Sequence, residues 1–137
     1  MIYILDAAAL LNSESFTFEK GNSYFTTSQV FAEWKSYSSR LLAENALASG
    51  ALTIQDPCPL SIQKTDKKCA ESGTILSEAD ISIVALAIDL HGRGQKFVVI
   101  TDDYSVQNVL KKLKIDFAGA AQGEIREHRA FGKAGKK

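Results

Sequence analysis

Phe97-Val98-Val99-Ile100-Thr101-Asp102-Asp103-Tyr104-Ser105-Val106-Gln107-Asn108 decides how this chain folds. Its first four residues are an apolar, β-branched run of the kind that forms a strand buried on both faces. Two adjacent carboxylates follow almost at once, and a helix is predicted from Tyr104. The N-terminus repeats the arrangement, because Ile2-Tyr3-Ile4-Leu5 runs straight into Asp6. In open parallel sheets, ligands bind beyond the carboxyl ends of the strands, so acids at those ends are placed for chemistry. Two further acids, Glu33 and Asp80, fall in the first turns of predicted helices.

Working outward, residues 2–6 read as the first strand and Ala7-Ala8-Ala9-Leu10-Leu11 as a short helix of good formers. Residues 12–25, with Asn, Ser and Gly, read as a loop. Thr26-Thr27-Ser28 offer helix N-caps, and Thr26 with Gln29 matches a capping box. One helix is expected from there to about Ser49, with Val30, Trp34, Tyr37 and Leu41 on a single stripe and Gly50 ending it. Leu52-Thr53-Ile54 is a brief strand, residues 55–63 a loop holding both prolines, and residues 64–72 a short exposed helix closed by Gly73. Ser77 opens a helix reaching Leu90. After strand 97–100, residues 104–113 form a helix with Val106, Val109, Leu110 and Leu113 on one face, and Ile115-Asp116-Phe117 reads as an edge strand. Strands alternating with helices imply βαβ crossovers. The expected fold is therefore a three-layer α/β/α domain with a central parallel sheet of about four to five strands.

A length of 137 residues suffices for one domain with its own core. No apolar run approaches the ~20 residues needed to span a bilayer, and the opening strand lacks a basic leader, so no signal peptide is expected. Cys58 and Cys69 form no C-x-x-C pair and read as ordinary thiols of a reducing cytoplasm. Net charge is zero, which argues against indiscriminate nucleic-acid binding, but it is unevenly spread. Residues 1–110 carry 8 basic and 13 acidic residues, whereas residues 111–137 carry 8 basic and 3 acidic. An acidic body with a basic end suits a polyanionic substrate. The bland alternative is a solvated helix face with a frayed tail, and for Lys133, Lys136 and Lys137 it is the better one.

Every acid also has a dull explanation, since Asp at a helix start is a good N-cap. Asp6 could cap the helix at Ala7, and Asp102 or Asp103 the helix at Tyr104. Asp80 matches a capping-box partner of Ser77. Yet Asp80 lies on the stripe that continues through Ile83, Val84 and Ala87, and an anion turned toward a core costs several kcal/mol unless compensated. A solitary Glu33 would be a surface residue; only its company raises it. Several carboxylates together, with no His or Cys nucleophile beside them, suit a hard cation such as Mg²⁺ or Mn²⁺. Such ions can activate water and neutralise charge on a phosphoryl transition state. A metal-dependent nuclease is the expected activity.

These segments resemble the PIN-domain ribonucleases over essentially the whole chain: the strand into Asp6, the helix start Thr26-Thr27-Ser28-Gln29-Val30-Phe31-Ala32-Glu33, and the motifs around Asp80 and Asp102-Asp103. Leu76-Ser77-Glu78-Ala79-Asp80-Ile81-Ser82 and Thr101-Asp102-Asp103-Tyr104-Ser105-Val106-Gln107-Asn108 look specifically like the archaeal NOB-type endonucleases. Those are similar to the eukaryotic enzymes that cut the small-subunit rRNA precursor at its mature 3′ end. The resemblance implies that Asp6, Glu33, Asp80 and Asp103 are catalytic metal ligands for Mg²⁺ or Mn²⁺. Asp102 would be a fifth acid, with its rank against Asp103 open. Ser77 and Thr101 would orient carboxylates or substrate through their hydroxyls, and Asn108 would donate a hydrogen bond behind the ligands, although capping or solvation explains it nearly as well. It further implies a cytoplasmic endoribonuclease of rRNA processing and ribosome biogenesis, acting on single-stranded precursor small-subunit (16S) rRNA in the pre-ribosomal small subunit. Lys111, Lys112, Lys114, Arg126 and Arg129 are the candidates to hold the RNA.

NOB-type proteins usually continue into a zinc ribbon with paired cysteines, and this sequence carries no such pairs. Residues 1–121 are accordingly expected to be the nuclease domain and residues 122–137 a basic tail or linker. Three alternatives remain. A VapC-like toxin ribonuclease is disfavoured by the Asp-Asp-Tyr-Ser-Val-Gln-Asn segment. A non-catalytic PIN RNA-binding module would be expected to have lost an acid, and none is missing. A receiver domain would place its acidic pair after the first strand, whereas here the pair comes late.

Overall fold

The computed structural model describes residues 1–11, 17–34 and 39–119. Among them a single sheet has five strands, β1 (Ile2–Leu5), β2 (Ser23–Thr26), β3 (Leu52–Ile54), β4 (Phe97–Ile100) and β5 (Phe117–Ala118), in the order β3-β2-β1-β4-β5. Every pairing is parallel. The flanking helices are α1 (Ala8–Leu11), α2 (Ser28–Trp34), α3 (Arg40–Ser49), α4 (Pro59–Ser72), α5 (Glu78–Gly92) and α6 (Tyr104–Lys112). The expected α/β architecture is what forms.

Several elements differ from the sequence reading, among them the edge strand expected at 115–117, which forms at Phe117–Ala118. Residues 23–26, read as the end of a loop and the start of a helix, form β2. Thr26 sits inside the sheet, its hydroxyl donating to the carbonyl of Leu5 at 2.9 Å. The cap of α2 falls to Thr27 instead, whose Oγ1 accepts from the Val30 N–H at 3.4 Å. Of the long helix expected to Ser49, the described residues give α2 and α3, with Ser39 in a turn just before α3; residues 35–38 lie outside the described residues. Trp34 is fully buried and donates its indole N–H to the carbonyl of Ala7 at 2.8 Å. Leu41 is 64% exposed, and Ala43 and Ala46 are the buried residues of α3; Tyr37 lies outside the described residues. Helix α4 begins five residues earlier than expected, with Pro59 in its first turn, where a missing N–H costs nothing. Gly50 and Gly73 end α3 and α4 with φ of 86° and 67°, a conformation that favours glycine.

The core explains the layering. Strand β4 is buried along its whole length. Helix α5 buries Ala79, Ile83, Val84, Leu86, Ala87 and Leu90 because it lies between β1 and α4 and also touches α2 and α6. Strand order reverses between β1 and β4. The connection from β1 leads outward to β2, and β4 leads to β5 on the other side. That is the switch point where a parallel sheet opens a crevice beyond its carboxyl ends.

Candidate active site

Register sets the first contact. Leu5 pairs with Ile100, so Asp6 and Thr101 leave β1 and β4 side by side, with the Asp6 N–H donating to the Ile100 carbonyl at 3.2 Å. Asp6 is only 2% exposed. Its Oδ1 accepts from the Ala9 N–H at 3.2 Å, so it caps α1 as well as facing the crevice. Burial pushes its carboxyl up to about 7; the Thr101 hydroxyl and the Ala9 N–H oppose that rise, while the charges of Asp80 and Asp102 add to it.

Asp80 reaches the same crevice from the first turn of α5. Its N–H donates to Ser77 Oγ at 3.1 Å, making Ser77 the cap of that helix. Its half-buried carboxyl is also raised, first by burial, then by the charge of Asp103, that of Glu33, and a side-chain hydrogen bond with Asp103, all against a stabilising bond from Ser77. A bond between two carboxyl groups requires a proton between them.

Asp103 caps α6, its Oδ1 accepting from the Ser105 N–H at 2.8 Å and the Val106 N–H at 3.4 Å. Capping and a place in the site are thus compatible, because both cap bonds use one oxygen. Thr101 is a crossbar: its hydroxyl bonds Asp6, and its Oγ1 accepts from the Asp103 N–H at 3.1 Å. Asp102 is half-buried and acts on Asp6, whereas Asp103 is exposed and acts on Asp80. Glu33 stands exposed on α2. That helix is held against α5 by a buried hydrogen bond of 2.7 Å between the Thr27 and Ser82 hydroxyls.

The structure therefore brings Asp6, Glu33, Asp80, Asp102 and Asp103 into mutual electrostatic range around Asp80 and Asp6, with Ser77 and Thr101 bonded to them. Asn108 stands apart, exposed on the outer face of α6. The amide that serves the site belongs to Gln107, which donates to the Thr101 carbonyl at 2.9 Å. Sequence reading also missed Asp56, just beyond the end of β3, whose two oxygens both accept from the Ser28 hydroxyl at 3.0 Å and so anchor the start of α2. The signal was present, since Ile54-Gln55-Asp56 repeats the pattern of a strand running into an acid. Lys111, Lys112 and Lys114 are exposed at the far end of α6. Arg126, Arg129 and the basic segment 122–137 lie outside the described residues.

Among the described residues no three Asp, Glu, His or Cys side chains close into a ready-made cage. Charge on Asp80 and Asp102 nonetheless reaches Asp6, and charge on Asp103 and Glu33 reaches Asp80. Mg²⁺ typically binds one or two carboxylates and fills its remaining positions with water and substrate phosphate, so this all-oxygen set fits such an ion.

A family profile described as "PIN domain of ribonuclease" matches residues 3–90. The chain belongs to the PIN-domain ribonucleases. It is 36% identical over 126 residues to "Endoribonuclease Nob1" of Methanothermobacter thermautotrophicus, covering 90% of this chain and 71% of that protein. To the protein of the same name from Methanocaldococcus jannaschii it is 36% identical over 120 residues, covering 88% of this chain and 57% of that one. Its fold is also that of VapBC2 from Rickettsia felis, solved bound to a DNA fragment from its promoter, with a TM-score of 0.57 at 16% identity over 87% of this chain and 98% of that chain. The protein is an endoribonuclease of the PIN type. No described helix is long and apolar enough to cross a membrane.

Proposed function

We propose that this chain is a divalent-metal-dependent endoribonuclease that matures the 3′ end of small-subunit (16S) rRNA during ribosome biogenesis, with Asp6, Glu33, Asp80 and Asp103 holding Mg²⁺ or Mn²⁺ and Asp102 as a fifth acid. The observation that carries it is the coupling of Asp80 to Asp103, Glu33 and Asp6 at the β1/β4 crevice. When bound, the ion would lower the pKa of a water and offset charge developing on the phosphate. The chain's own part is positional. Thr101 holds Asp6 and the start of α6 in one register, Ser77 holds Asp80, and the Thr27–Ser82 bond sets the helix that carries Glu33. A pocket of carboxylates repels phosphates, so the strand must be gripped outside it; Lys111, Lys112 and Lys114 on the described part, and Arg126 and Arg129 beyond it, are the candidates.

The rRNA assignment is supported by the Nob1 relatives and by the Thr101–Asn108 segment. Its test is incubation with a precursor fragment spanning the 3′ end of 16S rRNA in Mn²⁺, beside tRNA and unrelated mRNA. One cut at the mature end is expected, and Asp103→Asn should abolish it while binding RNA at least as well as wild type. Indiscriminate cutting, or a preference for tRNA, would replace the maturation role with a toxin-type one. Full activity in Asp103→Asn would remove Asp103 from the ligands and make Asp102 the next to test.

A further inference from the structure

Tyr104 is 84% exposed, although it is the first residue of α6 and follows Asp103 directly. Among the described residues its ring makes no aromatic contact and its hydroxyl no hydrogen bond. A single exposed aromatic is ordinary on a protein surface, so exposure alone decides nothing. Its surroundings decide more. Tyr104 lines a shallow groove of about 50 Å³ together with Gln107, Asn108, Lys111 and Phe117. Its lining joins the first two turns of α6, which start directly after Asp103, to Phe117 of β5. At that volume it is too small to enclose a nucleobase, so a base would have to lie on the ring.

We propose that this face of α6 seats the nucleotide flanking the scissile phosphate, with Tyr104 as the platform on which the base of a single-stranded RNA stacks. The inference rests on the endoribonuclease reading above and adds a specificity-determining residue to it. The order of chemistry along the groove fits a strand leaving the acids. Nearest to them is a neutral π-face, which binds a base without adding a cation that would compete with a metal ion. Next come two amides. Gln107 has committed its Nε2 to the Thr101 carbonyl, which leaves its carbonyl oxygen to accept, while the exposed Asn108 amide keeps both donor and acceptor for a base edge. The first cation, Lys111, stands two turns beyond Tyr104, about 10 Å along the helix, where it can meet a phosphate clear of the acids. A duplex keeps its bases stacked on one another and shows mainly shape and backbone, so the ring selects single strands. Stacking tolerates any base, so the amides are the part that can discriminate.

The experiment measures binding and cleavage separately, using a short single-stranded RNA across the cleavage site and the same RNA abasic at the flanking nucleotide, with a duplex as control. Tyr104→Ala should weaken binding of the intact RNA roughly 5- to 150-fold, raise KM and leave kcat little changed, while Tyr104→Phe stays close to wild type. The melting temperature should not move, because the side chain is exposed. On the abasic RNA, wild type and Tyr104→Ala should bind alike. Equal binding of the intact RNA by wild type and Tyr104→Ala would overturn the subsite, whatever happens to cleavage. So would an equal loss on intact and abasic RNA, which would mean that Tyr104 acts through the fold. If wild type cut no RNA in Mn²⁺ or Mg²⁺ but bound it in a Tyr104-dependent way, the nuclease reading would fail and the subsite would stand.

Discussion

Asp80 and Asp89 lie toward opposite ends of α5 and meet opposite fates. Burial would raise the Asp89 carboxyl, but the Ser61 hydroxyl, the Cys58 N–H at 2.9 Å, the Cys58 thiol at 3.2 Å and the nearby Arg93 guanidinium hold it below its ordinary value. Its oxygens are satisfied, and they tie the start of α4 to α5. Asp80 receives help from Ser77, but burial first, and then the charges of Asp103 and Glu33, raise its pKa. A carboxylate that donors surround is building the fold. One buried among other carboxylates is the kind of group that the proposed metal site would use.

The sharpest way to break this contrast is to neutralise both acids. Asp80→Asn should lower RNA cleavage by more than about 100-fold, to background, since even residues behind a metal ligand cost 10–100-fold. Asp89→Asn should cut at the wild-type rate. Thermal melts separate the two again: a divalent ion at a hundredfold excess over its Kd should stabilise wild type and Asp89→Asn by about 2.7 kcal/mol and Asp80→Asn by much less. A wild-type midpoint unmoved by millimolar Mn²⁺ and Mg²⁺ would remove the metal site.

The next test uses pH without metal. Asp6 titrates at 3.8 ordinarily and at about 7 in the fold. Because the folded value is raised, its contribution to stability is fully present below about pH 4 and is lost as pH rises through 7. At 1.36 kcal/mol per unit the ceiling is about 4 kcal/mol. Asp89 has the opposite sign, its contribution present above the ordinary carboxylate range and lost on acidification. In EDTA, the midpoint should fall as pH rises from 5 to 8, and Asp6→Asn or a saturating divalent ion should flatten that limb. A wild-type midpoint constant over the range in EDTA would mean that Asp6 is not held under strain.

What could be read without coordinates follows the same division. Asp6 and Asp102-Asp103 were legible because a parallel sheet gathers its strand ends on one edge, and Asp80 because it opens a helix on the stripe that faces the sheet. Strand β2 was not: Ser23-Tyr24-Phe25-Thr26 is four residues long and runs into a strong cap signal, which absorbed it into loop and helix. The start of α3 at Arg40 was hidden because Tyr37 and Leu41 extend an apolar spacing that the structure does not use for burial at Leu41. Gln107 and Asn108 are neighbours of similar type. Both line the groove beside Tyr104, and only the turn of α6 about Thr101 decides that Gln107 also reaches the site.

The smallest expected effect probes the satisfied acid alone. Asp89→Ala removes the acceptor for the Cys58 N–H at the start of α4, for the Cys58 thiol and for the Ser61 hydroxyl. Cys58 is exposed, so water replaces part of what is lost; Ser61 is buried and loses a charged acceptor. Removing a negative charge near the C-terminal end of α5 is favourable for the helix dipole and offsets a few tenths of a kcal/mol. The balance is a loss of about 1 kcal/mol, read as a drop of a few degrees in the melting temperature at neutral pH. That difference from wild type should shrink as the solution is acidified through the carboxylate range, where Asp89 is protonated in both states. Cleavage and metal stabilisation should be unchanged. If Asp89→Ala instead abolished cleavage at an unchanged melting temperature, a satisfied carboxylate would be part of the chemistry, and surrounding donors would no longer distinguish acids that build this fold from acids that serve its site.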